Sequence, residues 1–177
     1  MKHFLFEFSQ KIILLLRLFY SLLGGGEECV VCGKKTYVLP VCKTCNHTYF
    51  DVRKSVEAAR CSKCGRELIS TKKICSECRE NTTLVHTDSV FPLFDYLLWN
   101  KEILFQWKVN GIRSFSAFFA QKVAEALWIM GIYYIVPVPP RPGKIKKNGW
   151  DQIDELCTFL RLRYGFTVLN LLERTST

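Results

Sequence analysis

The chain contains no stretch of apolar residues long enough to cross a bilayer as a helix. Its most apolar segment, Phe4 to Leu23, is interrupted by Glu7, Lys11 and Arg17, and the longest charge-free run between those residues is Ile12 to Leu16. That is far short of the roughly 20 residues a spanning helix needs. A cleavable secretory leader is also lacking, so a secreted disulfide framework is not expected and the reading is a cytoplasmic protein. Acidic residues are scarce, 16 Asp+Glu against 25 Lys+Arg, which leaves a formal net charge of +9. Disorder is excluded, because 49% of the residues are hydrophobic and only 23% charged, enough for one medium domain and a smaller appendage.

What is abundant is cysteine. Eight of the nine cysteines form four Cys-x-x-Cys pairs, which in a reducing compartment points to zinc. Residues 27–80 read as a double zinc ribbon made of two copies of one unit. Cys29-x-x-Cys32 is followed after nine residues by Cys42-x-x-Cys45, and Cys61-x-x-Cys64 after ten by Cys75-x-x-Cys78. Tetrahedral zinc takes four soft ligands; one Cys-x-x-Cys turn offers two, and a short hairpin returns the other two. Two structural Zn2+ ions are expected, since four sulfurs per ion leave no open position for water or substrate. Gly33 and Gly65 follow the second cysteine of each first pair, where the tight turn favours positive φ. His47 reads as a surface residue and Cys157 as core packing.

Thiolate sites change the charge count. Each four-cysteine zinc site carries two negative charges, so the net charge falls to about +5. Between Cys29 and Glu80 eleven Lys/Arg face five Asp/Glu, a surplus that two such sites reduce to about +2. Tyr37, Tyr49 and Phe50 are equally suited to stacking bases and to filling small cores.

The flanking segments are helical or alternating. Leu5, Phe8, Ile12, Leu15, Leu16, Phe19, Leu22 and Leu23 fall on one stripe, so residues 1–26 are expected to form an amphipathic helix ended by Gly24-Gly25-Gly26. Its polar face is not rich in Lys/Arg, which favours packing on protein over lying on a membrane. After the polar bridge Arg79 to Asp88, Leu93 to Lys108 reads as a helix buried on most sides. Phe115 to Met130 reads as an amphipathic helix with Ser114 as N-cap and Gly131 as stop. Ile132 to Val138 has the continuous β-branched and aromatic composition of a buried strand. A helix capped by Asp151 and ended at Gly165 follows, then a strand from Phe166 to Leu172.

Strand, loop, helix and strand make one βαβ unit. Its loop, Pro139 to Gly149, places Arg141, Lys144, Lys146 and Lys147 at the carboxyl end of a strand and the amino end of a helix, where α/β proteins hold phosphates. A basic run in a loop is as readily a solvated surface. The fold class is therefore α/β: a helix and double zinc ribbon, then an incomplete Rossmann-like domain over residues 81–177.

These segments, in this order, resemble the ComF family. The resemblance rests on the paired Cys-x-x-Cys units, Phe105-Gln106-Trp107-Lys108-Val109-Asn110-Gly111, Ile135-Val136-Pro137-Val138-Pro139, the basic loop and Gly149-Trp150-Asp151-Gln152, and spans about Leu14 to Thr177. It implies a double zinc ribbon joined to a type I phosphoribosyltransferase-like domain, serving DNA uptake (competence) or nucleotide metabolism. It also implies phosphoribosyl pyrophosphate or another phosphate ligand on Arg141, Lys144, Lys146, Lys147 and Gly149. Asn148 stands where the family usually has a basic residue, and Asp151 where Asn is common. The family's later Asp-Asp and Thr-Thr-Gly segment, which would grip ribose and 5-phosphate, has no counterpart in these 177 residues. The chain thus looks like the first portion of a member, inactive alone and with no catalytic residues to assign. The alternative is a zinc-ribbon module that binds single-stranded DNA or RNA, or a protein partner such as one of DNA uptake, through the ribbons and the basic loop.

Overall fold

The computed structural model describes residues 19, 23–37, 39–81, 85–141 and 149–174. Most of the expected amino-terminal helix lies outside these residues; of that segment Phe19 and Leu23 are helical and exposed. The elements in chain order are β1 (Glu27–Glu28), β2 (Lys35–Thr36), α1 (Lys43–Tyr49), α2 (Val52–Glu57), α3 (Ser76–Glu80), α4 (Leu98–Lys108), α5 (Ser114–Ile129), β3 (Tyr134–Ile135), α6 (Gln152–Tyr164) and β4 (Thr167–Val168). Helices thus combine with two small sheets. β1 and β2 are antiparallel, with Glu27 opposite Thr36. β3 and β4 are parallel, with Tyr134 opposite Thr167 and Ile135 opposite Val168. A parallel pair needs a long crossover, and α6 lies within it. Among the described residues no helix is long and apolar enough to cross a membrane.

The central element is α5. Every residue from Phe115 to Ala120 is buried, because α2, α4 and α6 all pack on it. Two clusters form around it. One joins Cys29, Val41, Cys45 and Phe50 to Ile103 and Trp107 of α4 and to Phe115, Phe118 and Phe119 of α5. The other joins Ala120 and Ala124 to Leu160 of α6 and to Phe166, with Ile135 packed against it; the two alanines let α6 approach closely.

Helix α6 is bounded as its sequence implies. The Asp151 carboxylate accepts from the amides of Ile153 and Asp154, 2.9 and 3.2 Å, and Gly165 at φ 74° closes the carboxyl end. Asp154 and Glu155 in the first turn and Arg161 and Arg163 in the last oppose the helix dipole. Cys157 is buried on its inner face.

Structure and expectation differ at four elements, one of them the strand expected from Phe166 to Leu172, which pairs only at Thr167–Val168. The helix expected from Leu93 starts at Leu98, at φ 47°, because the preceding residues are held elsewhere: the Val90 amide donates to Lys63 C=O, 3.0 Å, and Phe94 packs on the first cluster. Only Ile103 and Trp107 of α4 are buried, so one face and not most of its circumference is covered. Ser114 is the first residue of α5 and not its N-cap. Arg113, itself in helical conformation, precedes it, and the turn is already wound by Ser116 N–H bonding to Arg113 C=O, 2.9 Å. The strand expected from Ile132 to Val138 pairs regularly only at Tyr134–Ile135 and is largely exposed, with Tyr133, Tyr134 and Val138 all open to solvent. Ile135 packs against the cluster of Ala120, Ala124, Leu160 and Phe166, while Tyr134, Val136 and Val138, on the other face, are exposed.

Phe118, with no exposed surface and its ring 5.3 Å from that of Phe50, should be a keystone. Phe118→Ala is expected to destabilise the protein by about 3–5 kcal/mol. Tyr134→Lys, at an exposed edge, should change stability by no more than about 0.5 kcal/mol. Denaturant titration of both variants checks the contrast.

Candidate metal centres

Each quartet is built by the same local devices. The first pair sits on a tight turn. Cys29 N–H bonds to Lys34 C=O, 2.7 Å, and Gly33 N–H to Cys29 C=O, 2.8 Å; in the second unit Cys61 N–H bonds to Arg66 C=O, 2.8 Å, and Gly65 N–H to Cys61 C=O, 2.9 Å. Gly33 and Gly65 adopt φ of 71° and 72°, as the turn requires. The second pair rides on the first turn of a helix and not on a second hairpin turn. Cys42 is the N-cap of α1 and Cys75 of α3, each sulfur accepting from the amide three residues on, Cys45 and Cys78, at 3.4 Å. The Cys42 and Cys75 amides in turn donate to the sulfurs of Cys29 and Cys61, 3.3 and 3.4 Å.

The sulfurs of Cys29, Cys32, Cys42 and Cys45 all lie within 4.8 Å of one another, as do those of Cys61, Cys64, Cys75 and Cys78. Cys32 and Cys42 are 3.7 Å apart, and so are Cys64 and Cys75. Tetrahedral zinc with sulfurs at about 2.3 Å sets them roughly 3.8 Å apart, whereas a disulfide needs about 2.05 Å. None of the nine cysteines is in a disulfide. Four soft donors at this spacing, with amides aimed at the sulfurs, fit two structural zinc ions. His47 is exposed and takes no part.

Without metal the thiols titrate unequally. Burial opposes ionisation of Cys29, but amide hydrogen bonds from Cys42, Val31 and Cys32 outweigh it and bring the thiol down to about 7. Amides of Cys64 and Cys75 bring Cys61 down to about 6. Burial and the neighbouring sulfurs push Cys45 well up. Hydrogen bonds with the Cys64 and Cys75 sulfurs push Cys78 up to about 12.

The two centres have different surroundings. Cys29 and Cys45 belong to the aromatic cluster with Phe50 and Trp107, so Phe50 is core while Tyr37 and Tyr49 remain exposed. The second centre joins neither cluster. Polar clamps hold it: Arg60 donates to Ser55 C=O and Gly65 C=O, each 3.0 Å, and Arg66 pairs with Glu77 across the surface. Arg60 directly precedes Cys61, yet nothing in the spacing marks it as a clamp, since Glu28 holds the equivalent place before Cys29.

Among the residues expected to hold phosphate, Arg141 and Gly149 are exposed, and Lys144, Lys146 and Lys147 lie outside the described residues. The start of α6 is not an open set of donors, because the Ile153 and Asp154 amides already bond to Asp151. Arg174, which no motif or spacing marks, donates from Nη2 to Pro139 C=O at 3.3 Å, close to Arg141 in the chain. Gly149-Trp150-Asp151-Gln152 meets the Phe105 to Gly111 segment: Gln152 Nε2 donates to Lys108 C=O, 3.2 Å, and the Arg113 guanidinium lies 5.4 Å from the Trp150 ring centre.

Comparison of the chain with protein-family models, with curated proteins and with solved structures finds no match in any of the three.

Two zinc ions per chain are expected by elemental analysis of protein purified under reducing conditions, and Cys32→Ser or Cys64→Ser should each lose one. Strong chelation should unfold residues 27–80, because zinc binding of about 10–16 kcal/mol in comparable peptides is also folding free energy. Zinc uptake at neutral pH should acidify a weakly buffered solution, since Cys45 and Cys78 are still protonated there and must release their protons. Affinity therefore falls as the pH falls. An indicator dye reading no proton release would contradict the thiol assignments.

Proposed function

We propose that the chain is a zinc-stabilised, ComF-like protein related to the type I phosphoribosyltransferases. It binds a phosphate-bearing ligand such as phosphoribosyl pyrophosphate and serves DNA uptake or nucleotide metabolism. The observation that carries this reading is the parallel β3–β4 pair with α6 in its crossover. The connection from β3 to α6 holds Arg141, Lys144, Lys146 and Lys147, at the end of the strands where α/β proteins bind phosphates. Arg174, beyond β4 and bonded to Pro139, adds a further cation at the same end, and Glu173 beside it in the chain offsets part of the charge. The α6 amides are capped by Asp151, so the basic side chains and the Gly149 backbone do the binding. With no Asp-Asp or Thr-Thr-Gly segment among the 177 residues, the reading assigns binding to this chain and not phosphoribosyl transfer, which also needs ribose and 5-phosphate aligned.

A second reading has its own support. Lys72, Lys73 and Arg79 of the second metal unit are exposed, and its surface suits an anionic polymer such as single-stranded nucleic acid.

Calorimetry with pyrophosphate and phosphoribosyl pyrophosphate separates the two. Replacing Arg141, Lys144, Lys146 and Lys147 together by Ala should weaken binding about tenfold or more, each charge-assisted contact being worth about 1.5–3 kcal/mol, with zinc content unchanged. Unaltered affinity, or phosphoribosyl transfer by the purified chain, would refute the first reading. Salt-dependent oligonucleotide binding that is lost in Lys72→Glu/Lys73→Glu and kept in the loop variant would establish the second.

A further inference from the structure

We infer that Arg113 and Glu155 are positioning residues that couple the first metal centre to the amino end of α6, so that zinc at Cys29, Cys32, Cys42 and Cys45 governs the order of that helix start. The coupling requires the metal and is independent of anion binding.

The connection is continuous. Cys29 and Cys45 share a buried cluster with Trp107 and Phe115, and Trp150 and Ile153 pack against the same cluster. A polar chain runs beside it. Trp107 Nε1 donates to Ser116 Oγ, 2.8 Å, and Ser116 Oγ donates to Glu155 Oε2, 2.5 Å. Glu155 Oε1 accepts from Arg113 Nε and Nη2, 2.9 and 2.5 Å, and the Arg113 guanidinium lies over Trp150. Trp150 immediately precedes Asp151, the residue that caps α6.

Trp107 and Ser116 are buried, Ser116 completely, so neither can exchange its partner for water without opening the cluster. A shift of Trp107 therefore moves Ser116 and Glu155 with it or leaves a buried donor unpaired. The sulfurs of Cys29 and Cys45 form one wall of that cluster. Removing zinc releases the geometry that holds the wall, and the displacement reaches α6 through both routes. None of the second centre's ligands belongs to either cluster; its links to the rest of the fold are hydrogen bonds to backbone carbonyls, from the Val90 amide to Lys63 C=O and from Arg60 to Ser55 C=O, and neither of them joins the chain from Trp107 to Glu155.

The test uses the full chain loaded with zinc. In a Cys64→Ser background, which retains only the first ion, Glu155→Ala should speed zinc release to a chelator about threefold or more, the scale on which residues with no ligand contact modulate coupling between sites. Glu155→Gln, which still accepts from Ser116 but loses its charge pair with Arg113, should fall between. In a Cys32→Ser background, which retains only the second ion, Glu155→Ala should leave release unchanged. Conversely, hydrogen exchange at the Ile153 and Asp154 amides should rise on Cys32→Ser and stay native on Cys64→Ser. Equal effects of Glu155→Ala on the two ions, or equal effects of the two cysteine variants on α6, would overturn the inference. Should Cys32→Ser fail to fold, the release rates of Glu155→Ala and Glu155→Gln beside Cys64→Ser decide it, native rates in both overturning it.

Discussion

The structure depends on holding four sulfurs within 4.8 Å of one another, at the first centre inside an apolar wall. Thiolates so close repel, and burial in a low dielectric sharpens the repulsion; a divalent cation reverses its sign. At the first centre that cation is a component of the core, because Cys29 and Cys45 are packed with Phe50 and Trp107. The surrounding elements could not substitute for it. β1 and β2 have two residues each, and α1 and α3 seven and five, well below the lengths at which an isolated hairpin or helix is stable in water.

What could be read from the sequence was what is local. The two quartets follow from spacing, Gly33 and Gly65 from the turn they close, and the limits of α6 from Asp151 and Gly165, each acting within a few residues. Parallel pairing of β3 and β4 followed from the helix between them. Other features had no local mark. Cys42 and Cys75 cap helices through sulfur, and cysteine is not among the residues whose presence announces a cap. Leu93 to Leu97 has helical composition, but its Phe94 packs on the first cluster and Tyr96 and Leu97 stay exposed. The run Ile132 to Val138 reads as buried because composition records what a strand is suited to, not what covers it. Arg174 and Glu155 act across 35 and 39 residues of chain, to Pro139 and Ser116, a separation that no periodicity reports.

Helix α6 balances its own charges, Asp154 and Glu155 against Arg161 and Arg163. Asp151 fills the donors at the start of α6, Glu155 ties that turn to Arg113, and Arg161 and Arg163 face the negative end. A helix so neutralised exerts little pull on an outside anion, which is why the basic residues flanking it, and not its dipole, carry the proposed attraction. The order of the carboxyl half rests more on side-chain packing of α5 against α6 than on the sheet, whose regular pairing is two residues long.

The two metal units are copies in sequence and hydrogen bonding, yet their turn glycines are under different constraints. Around Gly33 nothing lies where a β carbon would stand, whereas at Gly65 that carbon would fall 2.3 Å from Val90 O and 2.4 Å from Pro92 Cδ. Torsion alone holds the first position, and asparagine, which tolerates left-handed backbone, can occupy it at modest cost. The second position is closed to every side chain, since the chain leading to α4 passes directly over it. The copies are therefore free to drift apart at one turn and not at the other, and the crowded glycine marks the unit whose neighbour segment must stay in place.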